Sequence, residues 1–207
     1  HLAFVHTSIT IYAPFVDLLV LTLSHNQEAG TNTEVIVASA SKWVSSTAIW
    51  VAIQQGKISV DDRASQYLSW WTTDPADARS NVTLGNLLSF SSGFTGDTCD
   101  YTKPNLTQCV KDIYNAGITY SPGTNFYYCG DHHQIAALMV LNAVGLSDWN
   151  VFFNQYILST LGISTTAAVY LPPNCPNVAG GLYTDALTYL RIFQAIYTNI
   201  NPPLVNT

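Results

Sequence analysis

The sequence predicts an α+β fold in which short strands precede a mainly helical region. Patches of β-branched and apolar residues occur before position 38, as in Ser8–Tyr12 and Glu34–Val37, and such patches are typical of short strands. From Ser39 onward the apolar residues recur at helical spacing. Strands and helices do not alternate regularly along the chain, which argues against Rossmann and barrel folds.

Helical spacing continues over most of the chain, and some of the predicted helices are bounded by residues that cap or end helices. Gly56 ends the first helix, and the Thr83 side chain is suited to cap the third. The turn Ser121–Gly123 and the polar loop 94–107 separate later helices. The predicted helices span residues 39–55, 61–67, 84–91, 110–116, 135–144, 149–161 and 185–197.

The composition is that of a folded domain. The chain has 207 residues, 48% of them hydrophobic and only 10% charged, so it is long and apolar enough to form one domain over residues 1–207. The net charge is −6 with seven Lys and Arg, which argues against nucleic acid as a partner. No membrane span is predicted, because the best candidate, Ile9–Leu23, is short and is interrupted by Pro14 and Asp17.

The cysteines and two glycosylation sequons indicate a secreted eukaryotic protein. Cys99, Cys109, Cys129 and Cys175 allow three pairings, of which Cys99–Cys109 with Cys129–Cys175 is preferred; four free thiols are the alternative. None of them has the Cys-x-x-Cys spacing of a zinc site, so no metal is predicted.

The sequons predict N-linked glycans on Asn81, in Asn-Val-Thr, and on Asn105, in Asn-Leu-Thr. The chain opens on His1, and its one methionine is Met139. We therefore expect that it begins after processing or is a fragment.

Ser39 and Lys42 are the strongest candidates for chemistry. Residues three apart on a helix share one face, so the lysine can hold or remove the serine's proton and make its hydroxyl a nucleophile. At a helix start, Ser39 would also face the positive end of the helix dipole. The alternative for an isolated Ser-x-x-Lys is an ordinary solvated helix turn.

Two pairs of polar neighbours favour structural roles. The pair His132–His133 is adjacent on a helix, so its rings point in different directions and do not form a chelating face. The pair Asp61–Asp62 is better interpreted as a helix cap and ion-pair partner of Arg63 or Lys57 than as a carboxylate dyad.

Several segments occur in the order of a known family. They are Ala38–Lys42 (Ala-Ser-Ala-Ser-Lys), Gln55–Asp62, Thr83–Phe94, Ser121–Cys129 and Ala179–Thr184. Through them the chain resembles the serine beta-lactamase-related family, which includes class C beta-lactamases, DD-peptidases and related esterases. The resemblance implies a beta-lactamase/transpeptidase-like α+β fold, mainly its helical subdomain with part of an antiparallel sheet.

The resemblance also implies a set of catalytic residues, and the chain departs from the family pattern at two points. Ser39, Lys42 and Tyr128 match the nucleophile, the lysine and the motif tyrosine, which would relay the nucleophile's proton. Gly130 stands at the substrate-binding position where the family motif ends in Asn, which helps to orient the lysine and binds the substrate's amide. The family's Lys/His-Thr/Ser-Gly strand does not follow Thr184, so we expect this chain to be a portion of a longer polypeptide, incomplete at its C-terminus.

The function expected from these residues is that of a secreted serine hydrolase. It would act on a small-molecule or peptide ester or amide through an acyl-enzyme, without metal or organic cofactor. The alternative is a catalytically inactive extracellular structural or binding module. A third possibility is a homo-oligomer or filament in which the apolar N-terminal part docks on a partner.

Overall fold

The computed structural model describes residues 30–197, which form a set of helices and a small antiparallel sheet. The strands are β1 (Val35–Ile36), β2 (Ala168–Tyr170) and β3 (Leu182–Thr184). The α-helices are α1 (Ser41–Gln54), α2 (Ala64–Tyr67), α3 (Leu84–Leu88), α4 (Leu106–Ala116), α5 (Asp131–Val144), α6 (Trp149–Phe153) and α7 (Ala186–Tyr197). Short 3-10 turns at Ala38–Ala40 and Ala78–Asn81 and a π turn at Asn154–Leu158 complete the set.

The sheet joins the two ends of the described chain. Its order is β1-β3-β2, with both pairs antiparallel, so β3 lies in the middle. Thr184 is opposite Val35 on one side and Ala168 on the other. The N–H of Val37 also donates to the Leu182 carbonyl at 2.9 Å, which extends the pairing toward α1. The predicted strand at 34–37 is confirmed, whereas the strand predicted at 8–12 lies outside the described residues.

Helix α5 is the centre of the core. It packs against α1, α2, α3, α4 and α6, and every residue from Asp131 to Leu141 is buried. An all-round buried helix must be apolar or have its polar groups bonded. Ile135–Leu141 supplies the apolar part, and its polar first turn is hydrogen-bonded to neighbouring segments.

Close packing of two loops shapes the side of the molecule next to α5. Gly93 has φ +92°, and a Cβ there would lie 2.0 Å from the Tyr120 carbonyl oxygen, so a side chain does not fit. The Thr119 N–H donates to the Gly93 carbonyl at 2.9 Å. This contact holds residues 119–120 against the loop at Gly93, and from there the chain continues to Tyr128.

Most predicted helices are confirmed, with shifts at their ends. Helix α2 begins at Ala64, because Asp62 does not cap it: the Asp62 carboxylate accepts from the Ser59 N–H at 2.8 Å and from the Tyr67 hydroxyl at 2.6 Å. The predicted ion pair of Asp61–Asp62 is wrong, since neither residue forms one within residues 30–197. The predicted helix 149–161 is shorter, as α6 passes into the π turn.

No single helix in the described part of the chain is long and apolar enough to cross a membrane. The pair Asp131–Val144 and Trp149–Leu158 passes that test together, by length and composition, with a 72° bend. The candidate predicted and rejected from the sequence, 9–23, lies outside the described residues.

Candidate active site

The nucleophile candidate sits in a strained turn between the sheet and α1. Ser39 is exposed in the 3-10 turn, and Ala38 before it has φ +48°, a left-handed conformation that is costly for a residue with a Cβ. The buried Ser41 hydroxyl donates to the Ala38 carbonyl at 2.6 Å and accepts from the Leu182 N–H at 3.0 Å. These bonds hold the turn against the central strand, and strain of this kind often marks functional sites.

Lys42 lies one turn along the same helix and contacts the serine. Its Nζ donates to the Ser39 Oγ at 3.2 Å and to the Ala179 carbonyl at 2.9 Å. The second acceptor comes from the segment just before β3. The predicted juxtaposition of Ser39 and Lys42 is therefore present, and a main-chain oxygen that the sequence did not indicate fixes the ammonium.

The aromatic ring of Tyr128 covers the ammonium. Lys42 Nζ lies 4.8 Å from the ring centroid, a cation–π distance. The Tyr128 side chain is 53% exposed, and its hydroxyl has no hydrogen-bond partner among residues 30–197. The structure thus brings Tyr128 to Lys42 through the ring face.

Phe90 and His132 hold the loop that carries Tyr128. Phe90 has φ +57°; its ring centroid lies 5.0 Å from that of Tyr128, and its carbonyl accepts from the Tyr127 N–H at 2.9 Å. His132 Nε2 is 2.8 Å from the Tyr127 carbonyl, and Nδ1 is 2.8 Å from the Ser92 Oγ. Since a carbonyl only accepts, Nε2 carries the proton and Nδ1 accepts from the Ser92 hydroxyl.

His133 connects α5 to α1, the helix that carries Lys42. Its Nε2 lies 3.0 Å from the Ser46 Oγ, one turn beyond Lys42, while its Nδ1 is buried without a partner among the described residues. Burial, and next the nearby Lys42 charge, lowers the pKa of His133 to about 3. Burial lowers the pKa of His132 as well. Both rings are therefore neutral at pH 7, and the structural role predicted for them agrees with these contacts.

Gly130 lies at the N-terminal end of α5, next to a carboxylate from another loop. Its N–H donates to Asp97 Oδ1, and a Cβ at Gly130 would come within 2.6 Å of that oxygen. The neighbouring Asp131 accepts from the Thr98 N–H and hydroxyl, both at 2.8 Å, and its burial raises its pKa to about 6. The role of Gly130 in binding substrate stays a prediction, and nothing in the sequence pattern indicated Asp97.

The cysteines form one disulfide in the described residues. Cys99–Cys109 is bonded, as predicted, but Cys129 and Cys175 are separate buried thiols, so that predicted pair is wrong. Cys175 Sγ lies 4.0 Å from Cys99 Sγ, whereas the Cys129 thiol points to the Phe94 carbonyl at 3.7 Å. The two thiols thus belong to different neighbourhoods.

Metal ligands are scarce in the described part of the chain. The cluster with three candidate donors is Cys99, Cys109 and Cys175, whose sulfurs lie within 4.8 Å of one another. Two of these sulfurs are bonded to each other, which leaves one thiol as a donor. The expectation that no metal or cofactor takes part stays a prediction.

Both sequon asparagines are exposed. Asn81 ends the 3-10 turn 78–81, and Asn105 is the N-cap of α4, where its Oδ1 accepts from the Gln108 N–H at 2.9 Å. A glycan is attached through the other atom of the amide, Nδ2, so the cap bond of Asn105 is compatible with glycosylation. Glycans at both positions stay predictions.

The fold and this site define a class of protein in which a serine and a lysine share the first turns of a helix beside an antiparallel sheet. The model of the beta-lactamase family matches residues 18–194, so the chain belongs to the beta-lactamase family of hydrolases. The fold predicted from the sequence motifs, helical with a small antiparallel sheet, is confirmed.

Curated relatives lie in the same family. Penicillin-binding protein 4 of Amycolatopsis lactamdurans is 27% identical over 128 residues, which cover 60% of this chain and 33% of that protein. The teichoic acid D-alanine hydrolase of Staphylococcus aureus is 22% identical over 204 residues, covering 84% of this chain and 50% of that protein. The chain thus spans a third to a half of the length of these relatives.

Solved structures share the fold. A beta-lactamase homologue from Bacteroides dorei superposes with a TM-score of 0.75 at 28% identity, over 92% of this chain and 59% of that one. A penicillin-binding protein from Bacillus halodurans gives a TM-score of 0.72 at 18% identity, over 96% of this chain and 71% of that one. At that identity the second likeness concerns the fold alone.

Proposed function

We propose that this chain carries the nucleophile side of the active site of a secreted serine hydrolase that cleaves an ester or amide through an acyl-enzyme. The observation that carries the proposal is the 3.2 Å contact between Lys42 Nζ and Ser39 Oγ, on an exposed turn at the start of α1. Nucleophile and base within hydrogen-bond reach, with the base held by a third group, is the pattern of activated serines. The third group here is the Ala179 carbonyl.

In the first half-reaction the Ser39 hydroxyl attacks the substrate carbonyl carbon. Its proton passes to the pair of Lys42 and Tyr128 as the new C–O bond forms, and the carbonyl electrons move to oxygen. Ser39 lies in a first helical turn, whose N–H groups have no partner inside the helix, so its own N–H is available to the oxyanion. Collapse of the intermediate expels the alcohol or amine, which takes the proton, and leaves the acyl group on Ser39.

Water completes the cycle. It loses a proton to the same base and attacks the acyl carbon, and Ser39 Oγ leaves with that proton. The Tyr128 hydroxyl is the proposed relay between the lysine and the leaving group, a role supported by the position of its ring at 4.8 Å from Lys42 Nζ. Every group in this scheme is a side chain or main-chain atom of the protein, and no cofactor is needed.

The substrates are small-molecule or peptide esters or amides. Two proteins that are similar to this chain have names that fit this class. One is the curated relative named teichoic acid D-alanine hydrolase, and the other is a D-amino acid amidase of Ochrobactrum anthropi, whose solved structure shares the fold. Secretion with N-linked glycans at Asn81 and Asn105 is part of this proposal, and both asparagines are exposed and so accessible to glycosylation. An oligomeric or filamentous assembly stays a prediction.

Covalent labelling tests the proposal. The natural protein, expressed in a secretory host, is treated with a fluorophosphonate probe and, separately, with a fluorescent penicillin, and the modified peptide is identified by mass spectrometry. We expect the label on Ser39 and its loss in Ser39→Ala. Ser121→Ala, which removes an exposed serine from a turn, is the matched control and should label normally.

Two outcomes contradict the proposal. One is a folded protein that neither probe labels, which would favour a non-catalytic module. The other is labelling that persists in Ser39→Ala, which would place the nucleophile elsewhere.

A further inference from the structure

Phe90 occupies a backbone position that favours glycine. It lies just beyond the C-terminal end of α3 with φ +57°, in the left-handed region. Its N–H donates to the Leu87 carbonyl at 3.1 Å, and the Ser91 N–H donates to the Asn86 carbonyl at 2.8 Å. This is the Schellman pattern, in which a left-handed residue, most often glycine, closes a helix. A bulky aromatic residue at that position is an outlier, so its presence calls for an explanation in the contacts of its ring.

The ring of Phe90 connects the first turn of α5 to the loop that carries Tyr128. Its centroid lies 5.3 Å from the ring of His132 and 5.3 Å from that of His133. Both histidines are buried, and each is hydrogen-bonded to a serine hydroxyl, so the Phe90 ring rests on a fixed surface. Tyr128, by contrast, is exposed, and its ring packs on Phe90 at a centroid distance of 5.0 Å.

We propose that Phe90 is a positioning residue of the active site: its ring holds the Tyr128 ring over the ammonium of Lys42. The inference rests on the proposed function, because Tyr128 is the proton relay there. The Tyr128 centroid lies 4.8 Å from Lys42 Nζ, which in turn lies 3.2 Å from Ser39 Oγ. An exposed tyrosine without such support would populate other rotamers, and it would spend less time at the lysine.

The backbone of Phe90 supports the same loop by separate contacts. Its carbonyl accepts from the Tyr127 N–H at 2.9 Å, and the Ser91 carbonyl accepts from the Gly123 N–H at 2.7 Å. These bonds do not involve the ring, and glycine adopts the left-handed conformation without strain. Phe90→Gly therefore removes the ring while the end of α3 and the main-chain contacts of the loop are kept.

Nuclear magnetic resonance tests the position of the Tyr128 ring without requiring turnover. In protein with isotope-labelled lysine, the ε-methylene signal of Lys42 is identified by its loss in Lys42→Met, and an aromatic ring over the side chain shifts that signal upfield. We expect most of this upfield shift to be lost in Phe90→Leu and Phe90→Gly. It should persist in Phe90→Tyr, which keeps the ring.

A second lysine supplies the matched control. Lys111 Nζ lies 5.7 Å from the centroid of Trp70, which is half-buried like Phe90 and also contacts other rings. Trp70→Leu should therefore move the Lys111 signal and leave the Lys42 signal in place. The Phe90 variants should do the reverse.

The rate of fluorophosphonate labelling at Ser39 tests the consequence for the chemistry. Phe90→Leu and Phe90→Gly should label roughly 10-fold more slowly, and Phe90→Tyr at close to the normal rate. In a Tyr128→Phe background the relay hydroxyl is already absent, so Phe90→Leu should change the rate less than about twofold. A ring that only stabilises the fold would slow both backgrounds by the same factor.

The two measurements separate this proposal from the hydrolase proposal. Loss of the Lys42 shift in Phe90→Leu and Phe90→Gly supports the positioning role even if the wild type is not labelled. The glycine variant covers the case in which Phe90→Leu does not fold. An unchanged Lys42 signal, an unchanged labelling rate, or equal slowing in both backgrounds overturns the proposal and leaves Phe90 as a packing residue at the end of α3.

Discussion

The Nζ of Lys42 lies 2.9 Å from the carbonyl oxygen of Ala179, a residue 137 positions further along the chain. This bond connects α1 to the segment that leads into β3, the central strand. It leaves the ammonium between a hydroxyl, a carbonyl and an aromatic face, which sets the direction from which the lysine meets Ser39.

Lys42→Met should abolish reaction at Ser39 while the fold is kept. Methionine preserves the length of the side chain but has no group to take the serine's proton, so the rate of fluorophosphonate labelling should fall about 100-fold or more. Lys57→Met, at an exposed lysine outside the site, is the control and should label at the normal rate. An unchanged rate in Lys42→Met would refute the assigned base.

Tyr128→Phe separates the ring of this residue from its hydroxyl. The ring contact with Lys42 is retained, so the thermal midpoint should hardly change, whereas labelling and turnover should slow on the order of 100-fold if the hydroxyl relays protons. Tyr127→Phe is the neighbouring control, because the part of Tyr127 that binds His132 is its carbonyl. Equal rates in the two variants would limit Tyr128 to packing against the lysine.

His133 should make the fold sensitive to mild acid. Its pKa is about 3 in the folded protein against 6.5 for an unperturbed histidine, so the unfolded chain takes up the proton first and stability is lost as pH falls below 6.5. Between pH 6.5 and pH 5 this amounts to about 2 kcal/mol in the free energy of unfolding. Asp131 acts oppositely, because its pKa is raised to about 6 and the folded protein gains its proton first.

A comparison with His133→Gln isolates that effect, since Asp131 is common to both proteins. Urea unfolding is measured for each at pH 7 and pH 5, and the wild type's stability relative to the variant should fall by about 2 kcal/mol at the lower pH. A relative stability that does not depend on pH would mean that His133 is charged in the folded protein.

The disulfide pattern predicts the outcome of thiol mapping. Non-reducing digestion should give a Cys99–Cys109 cross-linked peptide, and the other two cysteines should react with iodoacetamide only after denaturation. Both thiols are buried, and burial raises the pKa of Cys129 to about 11, which keeps it in the unreactive protonated form. Recovery of a Cys129–Cys175 cross-link would contradict the structure.

Asn105 should carry a glycan and cap a helix at the same time. Enzymatic removal of the glycan converts asparagine to aspartate, which is also a good N-cap. The midpoint of thermal unfolding should therefore fall only slightly. Asn105→Gln removes both functions and should cost about 1 kcal/mol. A mass shift on deglycosylation checks occupancy, and equal midpoints for the two treatments would argue against the cap.

Local signals in the sequence were enough to predict most helices, and they failed where polar residues are buried. The apolar pattern predicts a helix only from Ile135, whereas α5 begins at Asp131. In the fold these intervening residues are buried with partners: Gln134, for example, accepts from the Val178 N–H at 2.8 Å and donates to the Pro176 carbonyl at 3.0 Å. Those partners lie more than 40 positions away, beyond the reach of helical periodicity.

The site shows the same division. Ser39 and Lys42 were predictable because residues three apart on a helix share a face, and Tyr128 because the segment Ser121–Cys129 resembles the motif of the family. The carbonyl of Ala179 reaches Lys42 through a loop path that no residue pattern encodes. The cysteine pairing failed for this reason too, since it depends on which loops meet.

Because the second acceptor of the lysine is a main-chain oxygen, no change of side chain at position 179 can delete it. The Cβ of Ala179, by contrast, faces position 130 and its carboxylate neighbour. A different side chain at the buried position 179 would therefore change the packing against position 130, while the main-chain oxygen of that residue would still hold the basic group of Lys42.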